Sequence, residues 1–292
     1  MHKVNVKAIL SPRNGMNLYR GCTHGCIYCD TRSTCYGMEH AFEDIEVKAN
    51  APELLEYALK HKRNRCMIGT GSMCDPYMPV EKELGLTRKC LELIEKYGYG
   101  VSVITKSDLI LRDLDLLKRI NEKTKCVVQM TLTTCDEDLC RILEPHVCTT
   151  ARRAEVLEIL RDAGIPVVVW MCPILPYIND TEENILGIVR YAVRAKVYGI
   201  LNFGIGVTLR DGDRQYYYQK LDEHFPGLKR KYIDTYGNAY EVESPRGREL
   251  MGIFKQACRD SGIETDISRL FSYMQEFEDK MEGRQMNLMD FM

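Results

Sequence analysis

The stretch GVSVITKSDLILRDLDLLKRINEKTKCVVQMTL, from Gly100 to Leu132, contains two short apolar runs on either side of a helical pattern. The runs GVSVIT and CVVQMTL are rich in β-branched residues and do not alternate strictly, which is typical of strands buried on both faces. Between them, LRDLDLLKRINEK has the apolar spacing of an amphipathic helix. A strand, a helix and a second strand in this order predict a parallel βαβ unit.

The same alternation continues on both sides of this unit. Further strands are predicted at CMIGT (66–70), PVVVWMC (166–172) and GILNFGIGV (199–207), and further helices at APELLEYALKHK, LTRKCLELIEKYG, ARRAEVLEILRDAG and TEENILGIVRYAVRA. About six βα units fit before Leu209. This predicts an α/β fold, a partial (β/α)6 TIM-like barrel, with a doubly wound open sheet as the alternative. In both folds, functional residues lie at the carboxyl ends of the strands.

The sequence changes character after Leu209, where tyrosine and charged residues become frequent. We therefore predict a barrel core over residues 1–209 and a C-terminal extension over residues 210–292. The extension contains a last helix at about Glu249 to Ser261. It ends in a flexible tail and does not form an independent domain.

Composition limits the classes of protein to consider. The chain has 292 residues, a formal net charge of −2 and 13 cysteines. It lacks an apolar run of about 18 residues, which predicts no membrane partner. MHKVNVKAIL at the start has no signal-peptide core, so we expect a cytoplasmic protein. In a reducing compartment, clustered cysteines bind metals rather than form disulfides, and isolated ones such as Cys66, Cys126 and Cys172 are small buried hydrophobes.

Four cysteines lie close together in YRGCTHGCIYCDTRSTC, from Tyr19 to Cys35. Cys22, Cys26 and Cys29 have the spacing C-x3-C-x2-C, which suits three corners of a [4Fe–4S] cluster. Such a cluster is usually held by four thiolates, so three leave one iron open to a small ligand. The alternative is a structural zinc ion, with Cys35 or His24 as the fourth ligand. Gly21 and Gly25 would let the backbone approach the cluster closely.

The motif CTHGCIYC, with an aromatic residue before its last cysteine, resembles the signature of radical S-adenosylmethionine (SAM) enzymes. The resemblance implies a [4Fe–4S] cluster on Cys22, Cys26 and Cys29, and SAM bound at the open iron. It also implies one-electron reduction by a flavodoxin or ferredoxin-like donor. SAM cleavage then gives a 5′-deoxyadenosyl radical, which abstracts hydrogen from a substrate.

The segments NLYRGCTHGCIYCDTR, GTGSMCDPYMPVEKELGLTRKCLELI, ITKS, ILEPH and GIPVVVWMCPILPYIND resemble, in order and spacing, the spore photoproduct lyase-like branch of that superfamily, often labelled DNA repair photolyases. The similarity covers about Met16 to Val207 and implies a DNA lesion as the leading substrate. The branch also uses a cysteine as hydrogen donor in the loop after the second strand. Its position falls at Ser72 here, and the nearby thiol is Cys74, so Cys74 is the candidate donor from a shifted position.

The resemblance and the strand ends together name further candidate site residues. Tyr28 would contact the adenine and Lys106 would pair with the carboxylate of SAM. Ser72, Asp75, Thr131 and Thr133 would offer polar groups at strand ends, whereas Arg153, together with Glu144, would brace the site or meet the ribose. For each, an ordinary structural role is the alternative: packing, strand propensity or a salt bridge at a helix start.

Two features of the extension suggest that the protein acts on DNA. One is a basic and aromatic strip, made of Lys229, Arg230, Lys231, Arg246 and Arg248 with Tyr232, Tyr236 and Tyr240. The other is QMNLMDF, Gln285 to Phe291, which resembles the peptide that binds a sliding clamp. The rival interpretations are a radical SAM enzyme acting on RNA, a peptide or a small metabolite, and a non-enzymatic module with a structural zinc ion or iron–sulfur cluster.

Overall fold

The computed structural model describes residues 1–281, so the predicted clamp peptide, Gln285 to Phe291, lies outside the described residues. The strands are β1 (His2–Val4), β2 (Gly15–Met16), β3 (Tyr19–Arg20), β4 (Glu46–Lys48), β5 (Met67–Thr70), β6 (Gly100–Thr105), β7 (Cys126–Thr131), β8 (Val167–Trp170), β9 (Gly199–Leu201), β10 (Gly206–Thr208) and β11 (Glu241–Glu243). The α-helices are α1 (Ala51–His61), α2 (Glu81–Leu84), α3 (Leu86–Lys96), α4 (Leu114–Lys123), α5 (Glu137–Leu143), α6 (Thr150–Asp162), α7 (Glu182–Arg194), α8 (Asp213–His224), α9 (Leu228–Tyr236), α10 (Gly247–Asp260) and α11 (Ile267–Gln275).

The main sheet has six strands in the order β2-β5-β6-β7-β8-β9, and every neighbouring pair is parallel. The spatial order follows the chain order without a reversal. A doubly wound sheet reverses its strand order at a switch point, so that alternative is wrong. The arrangement confirms the prediction of a partial TIM-like barrel.

Alternate residues of each strand face different layers, because side chains in a strand point to opposite faces. In β7, Cys126, Val128 and Met130 belong to the core beneath the surrounding helices. Val127 packs instead with Leu270 and Met274 of α11. Helix α11 therefore fills part of the barrel interior.

The predicted strand GILNFGIGV breaks after Leu201. The side chain of Asn202 donates to the carbonyl of Met171 at 2.7 Å and accepts from the amide of Gly204 at 2.8 Å. These contacts form a turn, and Gly204 takes a φ of +116° that favours glycine. The chain then enters β10, which pairs with β11 in an antiparallel hairpin beside the carboxyl end of the barrel.

A small sheet carries the segment that precedes the cysteine motif. Its order is β1-β4-β3, with β1 parallel and β3 antiparallel to β4. β3 ends at Arg20, two residues before Cys22, so this sheet sets where the cysteine loop begins. Among residues 1–281, no helix combines the length and apolar character that crossing a bilayer requires.

Candidate active site

A cavity of about 640 Å³ opens at the carboxyl ends of the main strands. This is where a β/α barrel places its functional residues. Of the residues predicted from the sequence, its wall contains Cys22, Cys26, Cys29, Tyr28, Ser72, Cys74, Asp75, Lys106 and Thr131. Thr133 and Arg153 do not line it.

The cysteine loop is fixed by backbone contacts from two sides. The amide of Cys22 donates to the carbonyl of Phe42 at 3.2 Å, and the amide of Ile27 donates to that of Leu143 at 3.0 Å. Gly21 is needed here, since its φ is +84° and a Cβ would lie 2.4 Å from the Phe42 carbonyl oxygen. The close approach that Gly21 allows is thus to the backbone of the neighbouring loop.

The thiols of this loop suit a cluster better than a single ion. Two thiolates on one zinc ion stand less than about 4.6 Å apart, because each Zn–S bond is about 2.3 Å. Within the described chain, the sulfur atoms of Cys22, Cys26 and Cys29 do not form a group whose members all lie within 4.8 Å. Burial raises the pKa of Cys26 to about 12 and that of Cys22 well above its ordinary value. A bound metal therefore displaces protons from these thiols.

The proposed fourth zinc ligands do not join the group. Cys35 is exposed, and its sulfur accepts from Arg210 at 3.2 Å. His24 is buried, and its Nδ1 lies 3.5 Å from Asp75 Oδ2. Both side chains contact other partners, so neither of these two candidates completes a four-ligand shell with the three thiols.

Lys106 and Asp75 connect two strand ends at the cavity. Asp75 Oδ2 accepts from the backbone amide of Lys106 at 2.8 Å, while Oδ1 accepts from the Thr105 hydroxyl at 2.7 Å and the Tyr77 amide at 2.8 Å. The carboxylate of Asp75 is thus occupied by the protein itself. The ammonium of Lys106 forms no direct ion pair with a described residue, and its Nζ lies 5.9 Å from the centre of the Tyr28 ring.

The charge on Lys106 persists in this buried setting. Burial lowers the pKa of Lys106, but the thiolate of Cys26, when that thiol is ionised, and the carboxylates of Glu144 and Asp75 outweigh that effect, so the pKa stands above its ordinary value. A fixed cation without a direct partner, on the wall of a cavity, suits the carboxylate of a ligand.

Beneath the cavity, Arg153 and Glu144 form a fully buried pair. Arg153 also donates to the carbonyl of Thr131 at 2.7 Å, and the hydroxyl of Tyr28 donates to Glu144. Thr133 Oγ1 lies 3.4 Å from the same carboxylate. Of the two roles predicted for Arg153, the geometry favours bracing the site over contact with the ribose.

Two thiols outside the cysteine motif line the cavity. Cys74 is 6% exposed, and its Sγ donates to the carbonyl of Tyr19 at 2.9 Å. Cys172 follows β8 on the opposite part of the wall. Burial raises the pKa of each thiol to about 12, so both carry an S–H bond near neutral pH. Ser72, where the related branch has its cysteine, is exposed at the cavity.

The wall residues that sequence reasoning missed include Trp170, Cys172 and Phe203. The ring centres of Trp170 and Phe203 lie 5.6 Å apart, and Phe203 is 54% exposed. In the structure, Trp170 ends β8, Cys172 follows it and Phe203 follows β9. The rule that barrel sites lie at the carboxyl ends of strands applies to all three, but Trp170 and Phe203 lie inside the predicted strands, so the sequence did not mark them as strand ends.

The predicted basic strip is largely neutralised. Lys229 pairs with Asp222 at 2.6 Å, Arg230 with Asp234 at 2.8 Å, and Arg246 with Glu249 at 2.6 Å. Tyr232 is fully buried. Lys231 lies over the ring of Tyr177, 3.6 Å from its centre. The remaining members are Arg248, Tyr236 and Tyr240, and Tyr240 is bonded to Arg210. The strip does not form a continuous free basic surface.

Comparison with known proteins agrees with this site. An uncharacterized protein of Methanocaldococcus jannaschii is 33% identical over 183 residues, which cover 61% of this chain and 67% of the relative. An uncharacterized protein of Mycobacterium tuberculosis is 28% identical over 247 residues, 81% of this chain and 71% of the relative. A spore photoproduct lyase mutant with bound AdoMet and dinucleoside spore photoproduct matches with a TM-score of 0.63 and 15% identity, covering 89% of this chain and 78% of that one.

The lyase mutant shares the fold. The sequence model of the Radical SAM superfamily matches residues 16–230, which include the cysteine motif, the main strands β5 to β9 and Met16 of β2. The resemblance inferred from CTHGCIYC is thereby confirmed. This chain belongs to the radical SAM superfamily, and its cofactors are a [4Fe–4S] cluster and S-adenosylmethionine.

Proposed function

We propose that this protein cleaves SAM reductively and directs the resulting radical to a substrate that carries a nucleobase, with a DNA lesion as the leading candidate. The observation that carries the proposal is the pair of aromatic rings, Trp170 and Phe203, on the wall of the cavity that also contains the cysteine motif. The lyase with a similar fold was solved with a dinucleoside lesion, which adds support for a substrate of that kind.

When bound and reduced, the cluster supplies one electron, which breaks a carbon–sulfur bond of SAM and gives methionine and the 5′-deoxyadenosyl radical. Cys22, Cys26 and Cys29 would hold the cluster, and Lys106 would pair with the carboxylate of SAM. Asp75 would hold the backbone of Lys106 in place. An external donor, such as a flavodoxin or ferredoxin, would supply the electron.

The aromatic pair would position the substrate. Trp170 is fixed because its Nε1 donates to Gln129 Oε1 at 2.6 Å. Phe203 is more exposed, and its neighbour Gly204 adds no side chain to the wall. Stacking of a base on an aromatic ring contributes about 1–3 kcal/mol and tolerates different bases. Such a platform suits a flat, uncharged ring that enters the cavity from solvent.

The test is anaerobic incubation of the cluster-loaded protein with dithionite, SAM and UV-irradiated DNA. Mass spectrometry would follow 5′-deoxyadenosine and the pyrimidine products. We expect lesion conversion by the unaltered protein and none by Cys26→Ala, which loses a cluster ligand. Formation of 5′-deoxyadenosine with unchanged DNA would contradict the DNA proposal.

A matched pair of variants tests the aromatic platform itself. Phe203→Leu should raise the KM for the substrate about tenfold, which corresponds to the loss of one stacking contact. Tyr57→Leu is the control, because Tyr57 is 66% exposed on α1 and does not line the cavity. Equal KM values for the two variants would contradict the role of Phe203.

A second candidate is a radical SAM enzyme acting on a peptide or another substrate that is not a polyanion. Glu241 and Glu243 line the cavity and are exposed, so its rim carries negative charge that repels phosphates. The ion-paired basic strip favours the same alternative. Glu241→Gln/Glu243→Gln separates the candidates: the change should lower KM for DNA and raise it for a cationic peptide substrate.

A further inference from the structure

A second group of possible metal ligands lies on the small sheet and does not line the cavity. Within residues 1–281, ligand atoms of His2, His40 and Glu46 all lie within 4.8 Å of one another. His2 and Glu46 are paired across β1 and β4, and His40 belongs to the loop that leads into β4. Two imidazoles and one carboxylate form a ligand set that binds zinc with a fourth, open position.

The outer contacts of both histidines orient them for this task. His40 Nδ1 lies 3.0 Å from the carbonyl oxygen of Ala41, and His2 Nδ1 lies 3.1 Å from Asp44 Oδ2. Metal-binding histidines typically donate one ring N–H to a carbonyl or carboxylate and offer the other nitrogen to the metal. The contacts at Nδ1 leave Nε2 of each ring for an ion, and His40 Nε2 is already 2.8 Å from Glu46 Oε1.

Two carboxylates and two cations surround the group. Arg20 Nη1 lies 3.6 Å from Glu46 Oε1, and the N-terminal ammonium of Met1 lies 2.9 Å from Asp44 Oδ1. Arg20 is held at its other end by the carbonyls of Tyr36 and Gly37, at 2.6 and 2.8 Å. Its charge is therefore shared with these carbonyls. The side chains of His2, His40 and Glu46 are 43%, 23% and 16% exposed, so an ion can enter from solvent.

We propose that His2 Nε2, His40 Nε2 and the Glu46 carboxylate bind a zinc-class divalent ion, with water in the fourth position. Asp44 and the carbonyl of Ala41 would orient the two imidazoles. The ion would fasten β1 and the loop of residues 37–45 to β4. That loop contains Phe42, whose carbonyl accepts from the Cys22 amide. The second metal would thus stabilise the segment against which the cysteine loop is held.

The experiment uses the full chain with its [4Fe–4S] cluster loaded, so that the cysteine motif is occupied. Zinc is titrated by isothermal calorimetry, and X-ray absorption at the zinc edge reports the ligands. We expect one zinc ion per chain with a nitrogen and oxygen shell at about 2.0–2.1 Å. A sulfur shell at about 2.3 Å, or no stoichiometric zinc, would overturn the proposal.

Single variants locate the ion. His2→Gln and His40→Gln should each weaken zinc binding more than tenfold, and Asp44→Asn should weaken it about 10- to 100-fold through the orientation of His2. His61→Gln is the matched control, because His61 is exposed and its Nδ1 contacts the carbonyl of Tyr57 in a helix. Zinc affinity in His2→Gln equal to that of the control would show that the contacts are hydrogen bonds only.

Hydrogen exchange gives a readout that does not depend on activity. Zinc should slow amide exchange in residues 38–46 of the unaltered protein and leave α4, which packs against β6 and β7, unchanged. The effect should vanish in His2→Gln, and because His2 is exposed, this substitution should leave the fold intact. Equal exchange with and without zinc would contradict the fastening role.

Discussion

The backbone and the side chain of Lys106 face different partners, which separates the two roles that we propose for this residue. The amide is bound by Asp75, whereas the ammonium faces the cavity. Replacing the side chain should therefore remove the charge without moving the end of β6. The two roles can be tested independently.

We expect Lys106→Gln to weaken SAM binding about 10- to 100-fold, which corresponds to the loss of one hydrogen bond to a charged group, about 1.5–3 kcal/mol. Equilibrium binding of SAM to cluster-loaded protein measures this. Lys48→Gln is the control, because Lys48 is also half-buried but donates to the carbonyl of Asn17 and does not line this cavity. The role of Lys106 would be refuted by equal SAM affinities.

Cys74 and Cys172 differ in how their thiols are held. The S–H bond of Cys74 points to the Tyr19 carbonyl, which stabilises it in one orientation. A thiol can give its hydrogen atom to a substrate radical, which restores a C–H bond and leaves a thiyl radical. Both residues are therefore candidate donors in the proposed reaction.

Cys74→Ala should change the product, because the substrate radical is no longer quenched at that position, while 5′-deoxyadenosine is still formed. Cys172→Ala is the matched comparison, from the opposite part of the wall. Product analysis with deuterated solvent, which labels exchangeable thiols, distinguishes the two. If Cys74→Ala yields the original product with the original label, Cys74 is not the donor; loss of label in Cys172→Ala alone would assign the role to Cys172.

At the level of single residues, the spacing of the cysteines predicts the candidate cluster ligands directly, whereas bracing by Arg153 and Glu144 follows from the sequence only as one of two expected roles. The spacing of Cys22, Cys26 and Cys29 lies within one short stretch, so it can be recognised from the sequence alone. The contact between Arg153 and Glu144 joins the start of α6 to the residue after α5. It reaches the site because the hydroxyl of Tyr28, from the cysteine loop, donates to Glu144. No local sequence pattern predicts that these three segments come into contact.

At the scale of elements, the buried pair ties α6 to the end of β7 through the Thr131 carbonyl. Arg153→Met would leave the Glu144 carboxylate buried without its cation. Removing one partner of such a pair typically costs about 3–5 kcal/mol. Arg153→Met/Glu144→Gln should recover part of this loss, because the second change removes the unpaired charge.

Urea denaturation of the cluster-loaded protein, in the absence of oxygen, measures these free energies of unfolding. The control is Arg141→Met, since Arg141 pairs with Asp138 at 2.6 Å where the side chains are 61% and 94% exposed. Exposed pairs contribute about 0–1 kcal/mol. A loss in Arg153→Met no larger than in Arg141→Met would mean that the buried pair does not stabilise the site.

Strands β5 to β8 were predictable because each is a short, continuous apolar run. GVSVIT corresponds to β6 without error, and CVVQMTL exceeds β7 by one residue. Helix α11 was missed, although Ile267, Leu270, Phe271 and Met274 have helical spacing. The apolar run of α11 is short and polar residues follow it. Its packing against the barrel interior can be seen only in the structure.

At the scale of the whole molecule, the extension after Leu209 contributes side chains to the core of the barrel. Helix α10 contributes Leu250, Phe254 and Cys258 to the main core, and α11 packs Leu270 and Met274 against the barrel interior. The amide of Ile200 also donates to the carbonyl of Glu264 at 2.9 Å, which continues the hydrogen bonding of β9. We therefore expect the barrel and the extension to unfold together.

Leu270→Ala tests this expectation. Leu270 is fully buried, and a Cβ on Gly199 would lie 2.3 Å from its Cδ2, so the side chain fills the space beside β9. The substitution should lower the free energy of unfolding by about 2–5 kcal/mol through the cavity that it creates. Amide exchange in β6 and β7, far along the sheet, should accelerate by the same free energy if unfolding is cooperative. Ile267→Ala on the same helix is the control, because Ile267 is 36% exposed and should cost far less. If Leu270→Ala accelerates exchange only in α11 and β9, the extension opens independently and the boundary at Leu209 separates two folding units.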